Sequence, residues 1–373
     1  KYGERAFRYC ELDIGHALAA LGYAARLLGW RLTDASHVGW GALFGALGLD
    51  REQDFPKRVR NYTELEEPEL LVEVVRDASH PPISAAELAR LTASASFAGT
   101  PSVIDAHPMY AWPAIHDVAA ATRWPSREHS RAPAPEAALQ HARSDMPAAR
   151  LISSRRSAQR FDSRFVMERE AFLRLIAAAA ANPACAALFP SPMVDLVLWV
   201  HRVEGVEPGV YVLPRTSERP LLTWLSRKFE VRPVASGEVG VELFRVAAVA
   251  PRELSRIART LCCHQDIASS CAFAVAMVAD IERALALDAF AYRLVHREAG
   301  AVGQALYLEA EAAGVRGTGI GCFLDDPTAE FLGVADTPAR SVYHFSVGKP
   351  IDDPRIETTR AGVLAKANGE EDK

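Results

Sequence analysis

Four arginines, Arg155, Arg156, Arg160 and Arg164, crowd one short stretch of a 373-residue chain, with Ser157 among them. The group is too small to track a nucleic-acid duplex but sufficient for one phosphate, because guanidinium and hydroxyl groups form charge-assisted hydrogen bonds to phosphate oxygens. A second constellation lies far along the chain, where Gly317, Gly319 and Gly321 alternate with Thr318 and Ile320. Residues without a Cβ let a flat ligand rest directly on the main chain, facing its N–H groups. Other reactive residue types read as structural. Cys262, Cys263 and His264 are metal ligands by type, but adjacent cysteines chelate one ion poorly, and no metal site is expected. His296 and Glu298 read as salt-bridge or surface groups, Asp325 and Asp326 as the N-cap of a short helix, and His16 as a satisfied helix histidine. Tyr211 and Trp199 read as core. Gln265 reads either as a cap of its own segment or as a ligand donor. No catalytic residue emerges.

The elements that must position these groups follow from periodicity. Residues 2–29 and 292–313 read as long helices with one buried face, the second closing at Gly314. Short helices are expected at 39–48, 84–92, 252–261 and 328–332, and an amphipathic helix over 168–181 stops before Asn182 and Pro183. Strands are expected at 69–75, 194–201, 209–213, 272–279 and 341–347, the last as a central strand, and residues 317–321 are expected to form a glycine turn. Helices and strands do not alternate as a βαβ series, so the class is α+β, with a largely antiparallel sheet flanked by helices.

The two long helices carry one pattern, 285 positions apart. Phe7 falls on Tyr292, Arg8 on Arg293, Gly15 on Gly300, Gly29 on Gly314, Thr33 on Thr318, and Leu47 and Gly48 on Leu332 and Gly333. A mid-helix glycine costs about 1 kcal/mol relative to alanine, so its recurrence at one position implies close backbone packing there. The chain reads as two copies of one module, with residues 1–76 the later part of the first, 77–150 a linker with short helices, and 151–373 the second with a C-terminal tail. The first copy starts in mid-module, so the chain is expected to be a fragment of a longer protein.

Composition bounds the class. The chain exceeds the size at which single cores stop growing, about 250–300 residues. It is 49% hydrophobic and 24% charged with a net charge of −5, which describes an ordinary globular protein and gives no reason to expect nucleic acid. No apolar run reaches the roughly 18 residues needed to span a bilayer. The six cysteines show no C-x-x-C spacing and read as reduced thiols of a cytoplasmic protein.

Several separated segments resemble the nitroreductase family, and within it the SagB-type, thiazole/oxazole dehydrogenase-like branch. Residues 155–161 resemble the opening R-R-S-x-R-x-F; residues 183–190 resemble P-S-A-G-A-L-Y-P, followed by V-x-G-x-x-P-G-x-Y at Val203 to Tyr211. Cys263 to Ala268 fits the C-x-Q…I-A segment, and residues 298–325 fit E-x-G-x-x-x-Q-x-x-x-L-x-A-x-x-x-G…G-x-G-x-F. Residues 2–48 also look SagB-type. The resemblance implies a homodimer, or here a tandem pseudo-dimer, holding FMN at the interface. Arg155, Arg156, Ser157, Gln159 and Arg355 would hold its phosphate, and Gln265, Thr318, Gly319, Ile320 and Gly321 its ring. It departs from the pattern at Gln159, where the family has a second basic residue, and at Ala184 and Ala186, where it has serine and glycine. Gln159 weakens the phosphate clamp unless Arg160 substitutes, whereas the loop of Ala184 and Ala186 would reach the partner module's flavin, which implies at most one FMN per chain.

The resemblance implies an FMN-dependent oxidoreductase passing a hydride between flavin and a small-molecule or peptide heterocycle, with NAD(P)H as a transient reductant and no dinucleotide fingerprint of its own. Further homo-oligomerisation is compatible with it. The alternatives are a flavin-free degenerate tandem module acting as a binding or scaffold protein, and flavin breakdown, which other branches perform.

Overall fold

In the computed structural model, the described residues are 2–55, 66–76, 81–100, 109–126, 144–182, 185–234 and 241–357. The helices are α1 (Ala6–Leu27), α2 (Trp40–Ala46), α3 (Ala85–Ala93), α4 (Pro113–Ala121), α5 (Ala148–Ser154), α6 (Arg169–Ala181), α7 (Pro220–Leu225), α8 (Pro251–Leu261), α9 (Ile267–Ser270), α10 (Ile281–Leu287), α11 (Ala291–Ala312) and α12 (Asp325–Leu332). The strands are β1 (Arg31–Asp34), β2 (Val72–Val75), β3 (Val194–Val200), β4 (Gly209–Leu213), β5 (Arg232–Val234), β6 (Leu243–Ala248), β7 (Phe273–Asp280), β8 (Arg316–Ile320) and β9 (Ala339–Gly348).

Seven strands form one antiparallel sheet in the order β5-β6-β4-β3-β7-β9-β8, while β1 and β2 pair separately. The class is α+β, as the residue patterns imply. Strand β7 explains how the sheet is covered. Its alanine-rich run suits helix as well as strand, but pairing with β3 on one side and β9 on the other holds it extended. Alternation then splits its side chains between two cores. Phe273, Val275 and Met277 pack with α6 and α11, whereas Ala274, Ala276 and Val278 pack with α8 and α12.

Helix α11 is buried almost all round, because α1 lies along its outer side. Contacts ascend together on both helices, from Phe7 against Tyr292 to His16 against Gln304, so the two run parallel. A Cβ on Gly15 would overlap the Arg297 carbonyl oxygen, and one on Gly300 would overlap that of Leu12. Positions 12 and 297 are themselves 285 apart, so the clash is reciprocal. So is an aromatic pair of contacts: the Arg293 guanidinium lies 4.9 Å from the Phe7 ring, and Arg8 donates to the Tyr292 hydroxyl at 3.1 Å. Reciprocity of this kind is what a two-fold axis between the helices produces. The elements that follow keep the register. Gly29 and Gly314 both end their helices at positive φ, +73° and +68°; β1 starts 285 residues before β8, and α2 the same distance before α12.

Between the two helices lies a buried charge network. The Glu11 carboxylate accepts from Arg293 Nη1 and Arg297 Nε, both at 2.6 Å, and Glu69 accepts from Arg293 at 2.7 Å and Arg297 at 2.9 Å. Arg293 Nε also donates to Thr122 Oγ1 at 2.8 Å, so residues before, within and after the 77–150 segment meet at one point.

Three expectations shift. Residues 317–321 are not a turn: 316–320 form the edge strand β8, paired residue by residue with β9. Glycine is unusual inside a strand, but here side chains would collide with packed aromatic rings. Asp325 and Asp326 stand in the first turn of α12, whose N-cap is Leu324, and Asp325 instead pairs with Arg8 at 3.2 Å. His296 is buried rather than at the surface, with Nδ1 against the Tyr292 carbonyl at 2.9 Å.

Candidate functional site

Arg155, Arg156, Ser157 and Gln159 line one crevice of about 1110 Å³, together with Arg150, Arg316 and the segment Pro350 to Asp353. The arginines follow a helix: the Arg155 amide donates to the Leu151 carbonyl at 3.1 Å, ending α5. Helix C-termini favour cations. Arg156 serves that role, donating to the carbonyls of Ser153 at 3.1 Å and Arg155 at 2.7 Å. Arg155 makes no ion pair among the described residues; its guanidinium lies over the Tyr307 ring, 4.9 Å from the centroid. Arg316 pairs with Asp352 at 3.2 Å. Arg355 is turned back on Asp353 at 2.6 Å, so the segment carrying it walls the crevice while its own charge is shared.

The adjoining end of β8 reaches the same place. Ala158 donates its amide to the Gly317 carbonyl at 3.2 Å, and Thr318 Oγ1 donates to the Ala158 carbonyl at 2.8 Å. The Tyr307 hydroxyl, three residues beyond Gln304 on α11, bridges the two constellations. It accepts from the Gly319 amide at 2.9 Å and shares a proton with Ser157 Oγ at 2.9 Å. The glycines do accommodate flat rings, but rings of this chain: Phe345 beside Gly317, Tyr343 beside Gly319 and Tyr9 beside Gly321. Ile320 points to the opposite face, into the core around Trp199.

Behind Tyr307, His16 sits between Gln304 Oε1 at Nδ1 and the Tyr343 hydroxyl at Nε2, each at 3.1 Å. Burial lowers its pKa, outweighing the hydrogen bond to Gln304, so the ring is neutral, donating from Nδ1 and accepting at Nε2. His16 is therefore satisfied, as its sequence position suggested, and helps fix Tyr343. Gln265 is committed to the main chain: its Nε2 donates to the Cys262 carbonyl at 2.8 Å and the Cys322 carbonyl at 3.0 Å. It meets Gln159 only along a shallow cleft beside Phe161.

Glu298 lies away from this crevice. It is buried, paired with Arg215, and accepts from the Met193 amide at 2.8 Å. Burial raises its pKa against the pull of Arg215. Near it, a cavity of about 440 Å³ is lined by Asp195 and Arg215, but Asp195 already accepts from the amides of Arg215 and Thr216, leaving little for a ligand. Pro183 and Ala184 lie outside the described residues; Cys185 just beyond them packs with Leu18 and Ala301.

Sequence reasoning missed Tyr307, Tyr343 and Arg316. The spacing of Tyr307 and Tyr343 reads as core, and nothing local shows where their hydroxyls point. Arg316 was legible as a charge beside the glycines, but not as a neighbour of residues 155–159.

Residues 226–349 match the profile of the nitroreductase family. No curated protein sequence matches the chain. Among solved structures, one described as a nitroreductase from Anabaena variabilis is similar at 18% identity and a TM-score of 0.51, covering 94% of this chain and 66% of that one. The chain thus spans about two thirds of that structure's length, and the fold is nitroreductase-like. A nitroreductase structure from Ralstonia eutropha matches at 15% identity, 57% and 87% coverage and a TM-score of 0.40. The E. coli microcin synthetase McbBCD complex with truncated pro-MccB17 bound matches at 16% identity, 57% and 77% coverage and a TM-score of 0.39. No helix among the described residues is long and apolar enough to cross a membrane.

Proposed function

We propose that the chain is an FMN-dependent oxidoreductase built as a tandem pseudo-dimer, with one flavin seat between residues 155–159 and strand β8. One observation carries this reading: Arg155, without an ion pair among the described residues, opens on a crevice lined by Ser157 and Arg316, and Ser157 is joined through the Tyr307 hydroxyl to the Gly319 amide. The cationic end suits a terminal phosphate. Arg155, Ser157 and Gln159 would hold it there, with Arg316 adding charge, while Arg156 secures the end of α5 behind them. The amides of residues 318–321 would meet the ring edge, and Gln265 would keep the Cys322 segment in place rather than bind the ring itself. FMN, when bound, supplies hydride transfer, and the protein supplies orientation and field.

The reciprocal contacts of Gly15 and Gly300 support duplication of residues 1–76 and 151–373, joined by 77–150. A cytoplasmic setting, a small-molecule or modified-peptide substrate, transient use of NAD(P)H and further self-association belong to the same proposal.

Tyr307 favours a second reading, a flavin-free scaffold, because its hydroxyl already occupies both Ser157 and Gly319. Titrating FMN into the purified protein and following flavin fluorescence separates the two. Saturable quenching with about one equivalent per chain, lost in Arg155→Ala, supports the oxidoreductase; no quenching in wild type or in Tyr307→Ala supports the scaffold.

A further inference from the structure

Cys263 and Cys322 are 59 positions apart in sequence, yet their sulfurs are in contact at 2.7 Å. Both are partly exposed free thiols. The turn that carries Cys263 is held in place: Cys263 and His264 both adopt positive φ, 53° and 59°, and the Gln265 amide ties the Cys262 carbonyl to that of Cys322. Two non-glycine residues in the left-handed region in succession are costly, and the conformation brings the Cys263 thiol to Cys322.

The pair is electronically asymmetric. Arg5, from the N-terminal segment, donates Nη1 to Cys322 Sγ at 3.2 Å. Either thiol could donate to the other, but a guanidinium on Cys322 favours the thiolate form at that sulfur, with the Cys263 S–H as its donor. The shifts agree in direction. The Cys263 hydrogen bond and Arg5 lower the Cys322 pKa, whereas burial and Cys322 raise Cys263 to about 11. The remaining thiols differ: Cys185, Cys262 and Cys271 are buried, and Cys10 is exposed without a thiol neighbour among the described residues. Around the pair, Tyr9 donates to the Gly321 carbonyl at 2.8 Å and Arg8 is paired with Asp325.

We propose that Cys322 and Cys263 form a thiol–disulfide exchange site for low-molecular-weight disulfides, with Cys322 the attacking sulfur and Cys263 the resolving one. The Cys322 thiolate attacks one sulfur of the disulfide, forming a mixed disulfide and releasing one thiolate, which takes up a proton. Cys263 then loses its proton and attacks Cys322 Sγ, closing the internal disulfide and expelling the second small thiol. Two protein thiols are oxidised to one disulfide, and one disulfide is reduced to two thiols. An S–S bond of about 2.05 Å needs only a small approach of sulfurs already in contact. The inference is independent of flavin, since neither step draws on the Arg155 crevice.

The test is oxidation of the whole chain with glutathione disulfide at graded ratios to glutathione, followed by alkylation of the remaining thiols and peptide mass spectrometry. The expected product is a peptide pair joined through Cys263 and Cys322, formed at lower glutathione disulfide than any adduct on Cys10. Cys263→Ser should stop at a glutathione adduct on Cys322, and Arg5→Leu should slow iodoacetamide labelling of Cys322 about fivefold at pH 7. Adducts on Cys10 with Cys263 and Cys322 both still reduced in the wild-type protein would overturn the proposal. So would equal labelling rates for Cys322 and Cys10, a comparison made in the wild-type protein that needs no variant to fold.

Discussion

Tyr307 holds Ser157 and the Gly319 amide with one hydroxyl, and its ring carries the Arg155 guanidinium. Any anion seated by Arg155 with a ring reaching Gly319 must displace that hydroxyl first. Tyr307→Phe and Tyr307→Ala should therefore both tighten FMN binding, the alanine variant by about tenfold, or about 1.4 kcal/mol, read by fluorescence quenching. Arg155→Ala should weaken it by about 2 kcal/mol, the usual loss for a charge-assisted hydrogen bond. Weaker binding in Tyr307→Ala would show that the tyrosine supports the ligand instead of covering its seat. The arginine group was legible from residue types alone. Tyr307 was not, because its role depends on a partner 150 positions away, and helical spacing reports only that its side chain faces inward.

At the scale of elements, α1 and α11 meet where neither helix has room for a methyl group. Gly15→Ala should force the helices apart and cost about 3 kcal/mol, at the upper end of ordinary overpacking; Gly300→Ala should cost a similar amount. Both clashes are relieved by the same separation, so the double variant should be clearly less destabilised than the sum of the two. Urea midpoints at constant m-value would measure this, and simple additivity would contradict a shared crossing point. This contact could be anticipated, because glycine inside a good helical pattern needs a packing reason. The 316–320 strand could not. Glycines signal a turn unless the rings of Phe345, Tyr343 and Tyr9 are known to lie beside them, and those rings come from two distant segments. Strands β5 and β6 were missed because their runs are short and partly exposed.

Over the whole molecule, the charge network of Glu11, Glu69, Arg293 and Arg297 joins three stretches of sequence. Burial and the neighbouring Glu11 carboxylate, outweighing the two arginines, push Glu69 from 4.5 to about 7. A carboxyl whose pKa is raised on folding binds its proton more tightly in the folded state, so its contribution to stability falls as pH rises from about 4.5 through about 7. The stability of wild type minus that of Glu69→Gln, from urea unfolding, should decrease across that window; an increase would place the carboxylate on the stabilised side. Replacing Glu11 by leucine leaves Glu69 as the one carboxylate facing two buried guanidinium groups and should cost about 3 kcal/mol, seen as a lower urea midpoint. None of these partners was evident from sequence, since a charge on a helix or at the end of a strand, taken alone, reads as a solvated group. The seam between α1 and α11 is packed like a protein interior and owes nothing to the peptide bonds of the intervening segment. If a protease site were engineered at Thr100 and cut, the two pieces should still migrate as one particle on a sizing column and part only in denaturant.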